Sequence, residues 1–182
     1  MRAQPLALPG VVLIEHRVLE DARGAFFESW NARAFAAAGI AAQFVQQNIS
    51  TSRRWVLRGL HYQLPHAQGK LVRVLAGAIF DVVVDLRRSS AAFGRALTLE
   101  LDAARTQSLW VPPGFAHGFL ALADDTRVQY QVTDFWSRES EHTLAWDDPA
   151  LALSWPLPAG TQAIVSDKDA HGTPLARAET FA

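Results

Sequence analysis

The sequence of 182 residues contains no cysteine. This absence excludes a disulfide framework, a catalytic thiolate and a metal site built on cysteine, and it fits a reducing compartment. The net charge of -1, without a basic tail, gives no electrostatic basis for binding nucleic acid or an anionic membrane. No apolar run approaches the roughly 20 residues that span a bilayer, and residues 1–10 do not resemble a signal peptide. We therefore expect a cytoplasmic protein that binds neither nucleic acid nor membrane.

Lysine and tyrosine are almost as scarce as cysteine. Fifteen of the 17 basic residues are arginine, and all but two of the aromatic residues are Phe or Trp. The two lysines are Lys70 and Lys168, and the two tyrosines are Tyr62 and Tyr130. Codon bias and chance would explain this scarcity. The alternative is that these positions require a compact ammonium group or a phenolic proton, which Arg and Phe cannot supply.

Short segments with a period of two dominate the sequence. They predict strands at residues 11–19, 25–30, 70–75, 78–87, 97–102, 108–111, 119–122 and 126–132. A turn is predicted at residues 21–24, and Gly77 indicates a hairpin between two of the strands. Many short strands with little helix predict an all-β sandwich or barrel. We expect a single domain over residues 1–182, with a core barrel at about 43–133.

Helical segments are few and short. Asn31 is a predicted cap for an Ala-rich helix over residues 32–38, which Gly39 ends. The tail from residue 147 is predicted to be irregular, with a turn or short helix near residues 167–171. In the strand at 126–132, Tyr130 shares a face with the apolar residues and should point into the interior.

The six histidines do not form a metal-binding pattern. No His-x-His pair occurs, and His61 and His66, five residues apart, would point to opposite faces of an extended strand. We therefore predict no metal site. His16, His142 and His171 are interpreted as ordinary surface histidines.

Reactive side chains are concentrated in residues 57–70, where strand-like apolar sequence carries an arginine, a histidine, a tyrosine and a lysine. Taken alone, His61 and His117 are each more typical of a hydrogen-bonded core histidine than of a catalyst. Together with Lys70, Tyr130 and Asp169 they indicate a proton-transfer site. It would combine a base, a carboxylate that holds the base's tautomer, a cation for an oxyanion and a phenolic acid.

Nine ordered segments carry a resemblance to a known family, and they span nearly the whole chain: 21–28, 47–52, 57–63, 68–72, 81–87, 113–119, Tyr130, 146–149 and 166–169. In these segments the sequence resembles the dTDP-4-dehydrorhamnose 3,5-epimerases, sugar-nucleotide epimerases of the cupin fold. The resemblance implies a cupin-type jelly-roll sandwich with a short N-terminal helix and small C-terminal helical turns. It also implies no cofactor and a homodimer with exchanged N-terminal strands.

The resemblance assigns catalytic roles to four residues. His61 would be the base that removes protons at C3 and C5 of a 4-keto-6-deoxyhexose, with Asp169 as its partner. Lys70 would stabilise the enolate oxygen at C4. Tyr130 would return a proton from the opposite face of the ring.

The resemblance also implies a set of residues that bind the substrate, a dTDP-sugar. His117 would assist Lys70, Lys168 would lie beside the catalytic carboxylate, and Arg23 and Arg58 would bind the diphosphate. The nucleotide pocket would be shaped, partly by a neighbouring subunit, by a set of five residues: Phe26, Glu28, Gln46, Gln47 and Asn48.

The leading prediction is epimerisation of dTDP-4-dehydro-6-deoxy-D-glucose at C3 and C5 to dTDP-4-dehydro-L-rhamnose. Phe135 and Trp136 stand where many members of the family carry a tyrosine. A mono-epimerase acting at C3 or C5 alone is therefore an alternative. Two further alternatives are a non-catalytic sugar-nucleotide-binding cupin and a metal-dependent cupin oxygenase or isomerase.

Overall fold

Two antiparallel β-sheets pack face to face in the structure, a computed structural model that describes residues 1–182. The strands are β1 (Arg2–Pro5), β2 (Val12–Glu15), β3 (Leu19–Asp21), β4 (Gly24–Phe26), β5 (Gln46–Ser52), β6 (Leu57–Gln63), β7 (Lys70–Ala76), β8 (Ala78–Asp85), β9 (Ala96–Asp102), β10 (Gln107–Val111), β11 (Phe115–Ala121), β12 (Thr126–Val132) and β13 (Glu141–Thr143). The two α-helices are α1 (Ala32–Ala37) and α2 (Asp167–Ala170). One sheet has the order β1-β2-β10-β7-β12-β5, and the other has the order β13-β6-β11-β8-β9.

The core lies between the two sheets, because alternate residues of each strand point to the same side. Val72 and Val128 of the six-stranded sheet belong to one buried cluster with Ile79, Val83 and Phe119 of the five-stranded sheet. The all-β sandwich prediction is confirmed. Strands β5 to β12 run from residue 46 to residue 132. Three strands outside that range complete the sheets, β1 and β2 in the six-stranded sheet and β13 in the five-stranded sheet.

The C-terminal tail covers the outer face of the five-stranded sheet. Leu144, Leu151 and Trp155 pack with Val82 and Val84, so β8 is buried on both faces. The tail is largely irregular and contains the short helix α2, as predicted. This covering brings α2 against β6, and so brings a carboxylate from the end of the chain to the middle of the sheet.

Helix α1 covers part of the outer face of the six-stranded sheet. Its Phe35 packs with Ile14, Leu71 and Trp110 in a third buried cluster. The predicted cap is confirmed, since Asn31 Oδ1 accepts hydrogen bonds from two backbone N–H groups of the first turn, each at 3.1 Å. Neither helix is long or apolar enough to cross a membrane.

The turn at residues 21–24 is confirmed, and it closes a small hairpin of β3 and β4 in which Asp21 lies opposite Gly24. The hairpin joins neither large sheet, and all of its residues are exposed. The strands predicted around it are too long. β2 ends at Glu15, three irregular residues separate it from β3, and β4 ends at Phe26.

Two other predictions of local structure are wrong. Gly77 does not turn a hairpin, because β7 pairs with β10 and β12 whereas β8 pairs with β9 and β11. The chain crosses at Gly77 from one sheet to the other, and a glycine turn permits either outcome. Strand β11 begins at Phe115 rather than Phe119, which places His117 inside the strand.

Candidate active site

A cavity of about 590 Å³ opens between the two sheets. Lys70 of β7 and Tyr130 of β12 line it from the six-stranded sheet. His61 of β6 and His117 of β11 line it from the five-stranded sheet. The segment around α2 closes one side through Ser166, Lys168 and Asp169. Side chains far apart in sequence therefore meet on opposite walls of one cavity.

An irregularity in β6 directs two of its functional side chains into the cavity. Arg58 and His61 are three residues apart, so regular alternation would separate them onto opposite faces. The register of β6 with β11 shifts between these positions, and both side chains line the cavity. Gly59 makes this possible, because its φ is +127° and an added Cβ would lie 2.6 Å from Gly118 Cα.

His61 and Asp169 form a hydrogen-bonded pair. The ring Nε2 lies 2.6 Å from Asp169 Oδ1, and the Gly59 N–H donates to Asp169 Oδ2 at 3.4 Å. Burial lowers the pKa of His61 below its usual value, although the neighbouring carboxylate acts in the opposite direction. Burial acts to raise the pKa of Asp169, but the hydrogen bond and charge of His61, the Gly59 N–H and the charge of Lys168 together lower it below its usual value. A neutral imidazole beside a carboxylate is suited to accept a proton, and Nδ1, which makes no hydrogen bond within the chain, is the nitrogen left to do so.

Lys70 is a buried cation within the cavity wall. Its side chain crosses from β7 to the opposite sheet, where Nζ donates to the backbone oxygen of His61 at 3.0 Å. Burial lowers the pKa of Lys70 to about 8, and the charges of Glu141 and Asp81 oppose that shift. An ammonium group in a site of low dielectric is a strong electrostatic partner for a developing oxyanion.

His117 lies directly opposite His61 in the pairing of β11 with β6. Its Nε2 is 2.8 Å from Asp81 Oδ2, and the carboxylate belongs to a residue with no exposed surface. The cavity thus contains two His–Asp pairs. One takes its carboxylate from the C-terminal helix and the other takes it from the neighbouring strand.

Tyr130 lies on the inner face of β12 and packs against the core, as the alternation of residues along the strand predicted. Burial raises the pKa of Tyr130 above its usual value, so the phenol keeps its proton at neutral pH. Arg58 acts in the opposite direction on that pKa, from the far wall. The Arg58 side chain is held by Ser52 Oγ at 3.0 Å and by the backbone oxygen of Thr51 at 3.2 Å.

Tyr62, the other tyrosine, has a structural partner. Its hydroxyl donates to the backbone oxygen of Glu179 at 2.7 Å, and its ring stacks on His142. Burial raises the pKa of Tyr62 to about 12. The residue therefore anchors the C-terminal tail to β6.

Glu141 of β13 lines the cavity and was missed by the sequence reasoning. Its Oε1 lies 2.9 Å from Lys168 Nζ, and this ion pair lowers the pKa of Glu141 despite burial. No local signal distinguishes Glu141 from the exposed Glu139 two residues earlier. Its position depends on the pairing of β13 with the far end of β6.

The mouth of the cavity is formed by polar and aromatic side chains. Gln46 Nε2 donates to Asn48 Oδ1 at 3.0 Å, and Gln46 Oε1 accepts from the backbone N–H of Trp136 at 2.9 Å. The indole of Trp136 lines the cavity while remaining half exposed, and Phe135 is more exposed still. An exposed aromatic ring fixed at a cavity mouth is a suitable platform for stacking a planar base.

Four predicted binding residues do not line this cavity. Arg23 and Phe26 lie on the exposed β3–β4 hairpin, where Arg23 pairs with Asp21 at 2.6 Å, and Glu28 follows β4. Gln47 points to the other side of β5 and lines a separate cavity of about 290 Å³ on the outer face of the sheet. The other nine predicted site residues line this cavity: His61, Tyr130, Asp169, Lys70, Gln46, Asn48, Arg58, His117 and Lys168.

No cluster of three or more His, Cys, Asp or Glu side chains has an arrangement that would hold a metal ion. Each of the two cavity imidazoles is hydrogen-bonded to a single carboxylate, His61 to Asp169 and His117 to Asp81.

The two-sheet fold, with two histidines, a lysine and a tyrosine in one cavity between the sheets, is that of a cupin-type isomerase. A model of the dTDP-4-dehydrorhamnose 3,5-epimerase family matches residues 5–177. The chain belongs to this family, and the resemblance seen in the sequence is confirmed.

Individual relatives agree with this assignment. A dTDP-4-dehydrorhamnose 3,5-epimerase of Pseudomonas aeruginosa is 49% identical over 182 residues, which is 100% of this chain and 99% of the relative. The crystal structure of a dTDP-6-deoxy-D-glucose-3,5-epimerase from Legionella pneumophila, in complex with dTDP-4-keto-L-rhamnose, superposes with a TM-score of 0.93 at 40% identity, covering 98% of this chain and 94% of that one. A 3′-monoepimerase from Streptomyces bikiniensis, in complex with dTDP-quinovose, has a TM-score of 0.87 at 32% identity, covering 94% and 87% of the two chains.

Proposed function

We propose that this chain epimerises dTDP-4-dehydro-6-deoxy-D-glucose at C3 and C5 to give dTDP-4-dehydro-L-rhamnose. Both carbons flank the C4 ketone, which already acidifies their protons. Each inversion then requires a base on one face of the ring, an acid on the other face, and an electrophile beside the C4 oxygen. No electrons are transferred, so the reaction proceeds without a cofactor.

The placement of base and acid on opposite walls is the observation that supports this proposal. His61 lines the cavity from the five-stranded sheet and Tyr130 lines it from the six-stranded sheet. A sugar held between them would lose a proton to His61 Nδ1 from one face and receive a proton from the Tyr130 hydroxyl on the other. Lys70, aided by His117, would stabilise the charge that develops on the C4 oxygen.

We assign the remaining cavity residues to the nucleotide and its phosphates. Arg58 retains an Nη1 group free of protein partners and would bind the diphosphate, since guanidinium matches phosphate geometry. Gln46 and Asn48 would hydrogen-bond the nucleotide, and Trp136 would stack on the thymine. Lys168 would bind the substrate from the side of the cavity that the α2 segment closes, where its ion pair with Glu141 fixes its position.

We propose further that the active unit is a homodimer in which an N-terminal element is exchanged. Arg23, Phe26 and Glu28 lie outside the chain's own cavity, so a binding role for them requires the cavity of a second copy. The β3–β4 hairpin is the N-terminal element without a place in either large sheet. Phe26 is 70% exposed and Ile49 on the sheet edge is 57% exposed, as expected of surfaces that a second copy covers. The whole chain would act as one epimerase domain in the cytoplasm.

Isotope exchange in D₂O tests the reaction. The protein is incubated with dTDP-4-dehydro-6-deoxy-D-glucose and followed by proton NMR, with His61→Ala as the control variant. Deuterium at both C3 and C5 of an L-rhamno product supports the proposal. Absence of turnover by the wild type would instead favour a binding protein without catalysis.

Mono-epimerisation is the second candidate, and Trp136 is the observation that favours it. Trp136 lines the cavity, and the resemblance places Phe135 and Trp136 together where many family members carry a tyrosine, whose phenol is smaller than an indole. Deuterium confined to one carbon in the same experiment would identify this activity. Trp136→Tyr would then be expected to extend exchange to the second carbon.

A further inference from the structure

The β3–β4 hairpin projects from a stem made of two aromatic rings. His16 lies just before the hairpin and Phe27 directly after it, and their ring centroids are 5.7 Å apart. The hairpin pairs with neither large sheet and its residues are exposed, whereas Phe27 is partly buried. One other side-chain contact follows the hairpin, from Asn31 Nδ2 to Glu28 Oε2 at 3.1 Å, and it is exposed to solvent. The hairpin is therefore attached to the body of the protein chiefly through these two rings.

His16 is fixed to the six-stranded sheet. The residue is only 7% exposed, so its interpretation as an ordinary surface histidine is wrong. Its Nε2 lies 2.9 Å from Ser108 Oγ of β10, and its backbone N–H donates to the Thr106 oxygen at 3.2 Å. Burial and the charge of Arg73 lower the pKa of His16, so the ring is neutral at neutral pH. Phe27 thus packs against an uncharged ring that cannot easily move.

Arg73 of β7 lies on another side of the Phe27 ring. The guanidinium carbon is 4.2 Å from the ring centroid. Arg73 forms no ion pair, its buried Nε has no hydrogen-bond partner, and burial lowers its pKa with no carboxylate to oppose the shift. A guanidinium is attracted to the face of an aromatic ring, most strongly where water is excluded. Phe27 therefore supplies the favourable contact that this cation lacks elsewhere.

Arg87 shows how different this arrangement is. It also lies over an aromatic ring, with its guanidinium carbon 4.3 Å from the centroid of Phe115. Its Nη2, however, forms an ion pair with Asp85 at 2.7 Å, so the ring is one contact among several. Arg73 has no such polar partner. The positions of Arg73 and the Phe27 ring therefore depend on each other.

We propose that Phe27 is a positioning residue for substrate binding. Packed between His16 and Arg73, it fixes the direction in which the β3–β4 hairpin projects. The inference rests on the proposed function, in which residues on and beside this hairpin bind the substrate in the cavity of a second copy. Phe27 itself lines neither cavity of its own chain, and it acts through the hairpin that it holds.

Steady-state kinetics of three variants test this role. Phe27→Leu removes the ring but keeps an apolar side chain, and Phe27→Tyr keeps the ring. The control is Phe93→Leu, because Phe93 is also partly buried and faced by an arginine, Arg88 at 5.4 Å, but lies away from the hairpin and the cavity.

Phe27→Leu should raise KM for dTDP-4-dehydro-6-deoxy-D-glucose by about threefold to thirtyfold, the range expected for loss of a cation–π contact, and leave kcat nearly unchanged. Phe27→Tyr and Phe93→Leu should keep the wild-type KM. An unchanged KM in Phe27→Leu, or an equal rise in Phe93→Leu, would overturn the proposal.

A mixed dimer shows which cavity Phe27 serves. A chain carrying Phe27→Leu is paired with a chain carrying His61→Ala, and the pair is purified through two different tags. Its one working cavity lies in the Phe27→Leu chain but receives the unaltered hairpin of the other chain. KM should therefore return to the wild-type value, at roughly half of the wild-type kcat. A KM as high as that of the Phe27→Leu homodimer would contradict positioning across the dimer.

Hydrogen exchange measured by mass spectrometry examines the hairpin without turnover. The backbone amides of residues 19–26 should exchange faster in Phe27→Leu than in the wild type or in Phe93→Leu, because the hairpin has lost its attachment. Equal exchange in all three proteins would show that Phe27 does not hold the hairpin. Since no substrate is needed, this measurement separates failure of the Phe27 inference from failure of the epimerase assignment.

Discussion

The ionisation of two cavity residues sets a pH range for the reaction. His61 must be neutral to accept a proton, and its lowered pKa keeps it neutral through neutral pH. Lys70 must be protonated, and its pKa of about 8 limits that form on the alkaline side. Activity should therefore fall as the pH drops below the usual histidine range of about 6.5, and fall again as it rises past about 8.

Lys70→Arg tests the assignment of the alkaline limb. Arginine keeps its charge across this range, so the limb near pH 8 should disappear even though the larger, planar guanidinium fits the site of Lys70 poorly and lowers the rate. The measurement is the initial rate of deuterium exchange as kcat/KM between about pH 5 and 10, which reports ionisations of the free enzyme. An alkaline limb that stays in place in Lys70→Arg would assign it to another group.

Tyr130→Phe should separate proton removal from proton return. The variant keeps the His61–Asp169 pair, so exchange of solvent deuterium into the substrate should continue from that face. Inversion should fall by about 10²- to 10⁴-fold, the usual contribution of a positioned acid. Proton NMR in D₂O measures both events in one sample. If Tyr130→Phe loses exchange as completely as His61→Ala, Tyr130 has a different role.

At the scale of the strands, the contact between β6 and β11 is what positions the two histidines. Gly59 and Gly118 let the two backbones approach at the irregularity that directs Arg58 and His61 into the same cavity. A Cβ at Gly59 would lie 2.6 Å from the opposite backbone and 3.0 Å from His117 O, where no flexible side chain can move away. The catalytic register therefore depends on this pair of glycines.

Gly59→Ala and Gly24→Ala form a matched pair of variants for this contact. Both glycines have nearly the same backbone angle, with φ of +127° and +123°, but nothing lies within 4 Å of a Cβ at Gly24. Gly24→Ala should lose about 1 to 2 kcal/mol of unfolding free energy from the left-handed backbone alone. Gly59→Ala should lose a further ~1 to 3 kcal/mol from overpacking, measured by urea denaturation at equal protein concentration. Equal losses of unfolding free energy in the two variants would show that the close approach of β6 and β11 leaves room for a Cβ at Gly59.

The sequence predicts local structure where the physical signal is local. Asn31 and Gly39 bound α1 because capping and left-handed φ are properties of a few adjacent residues, and Tyr130 points inward because alternation is regular in β12. Pairing between distant strands leaves no such signal. The crossing at Gly77 and the cavity position of Glu141 therefore follow only from the assembled sheets.

The roles predicted for the site residues come from residue type in combination with the family resemblance, and they remain predictions. Residue type and strand phase identified His61, Lys70 and Tyr130 as candidates, yet nothing local indicates that Asp169 would reach His61. That contact depends on the irregular tail, which carries α2 across the sheet to within 2.6 Å of the ring.

At the scale of the whole molecule, the single chain contains a cavity and, separately, residues predicted to complete one. Arg23 is exposed on the β3–β4 hairpin, and its guanidinium forms an ion pair with Asp21 of the same hairpin. Phe26 and Glu28 share its position outside the cavity. In a two-fold dimer the same hairpin from each copy would reach the other copy's cavity, so that two equivalent sites would be completed at once.

Complementation between two impaired variants tests this exchange. Chains carrying Arg23→Ala and chains carrying His61→Ala are co-expressed with different tags, and the mixed dimer is purified through both. If Arg23 serves the partner's cavity, one site of the mixed dimer has an intact His61 and an intact Arg23, and activity should return to roughly half of the wild-type level. If Arg23 serves its own chain, neither site is complete and the mixed dimer stays as inactive as the parents. The parent homodimers are the controls, and recovery of activity in the mixed dimer alone would locate Arg23 across the interface.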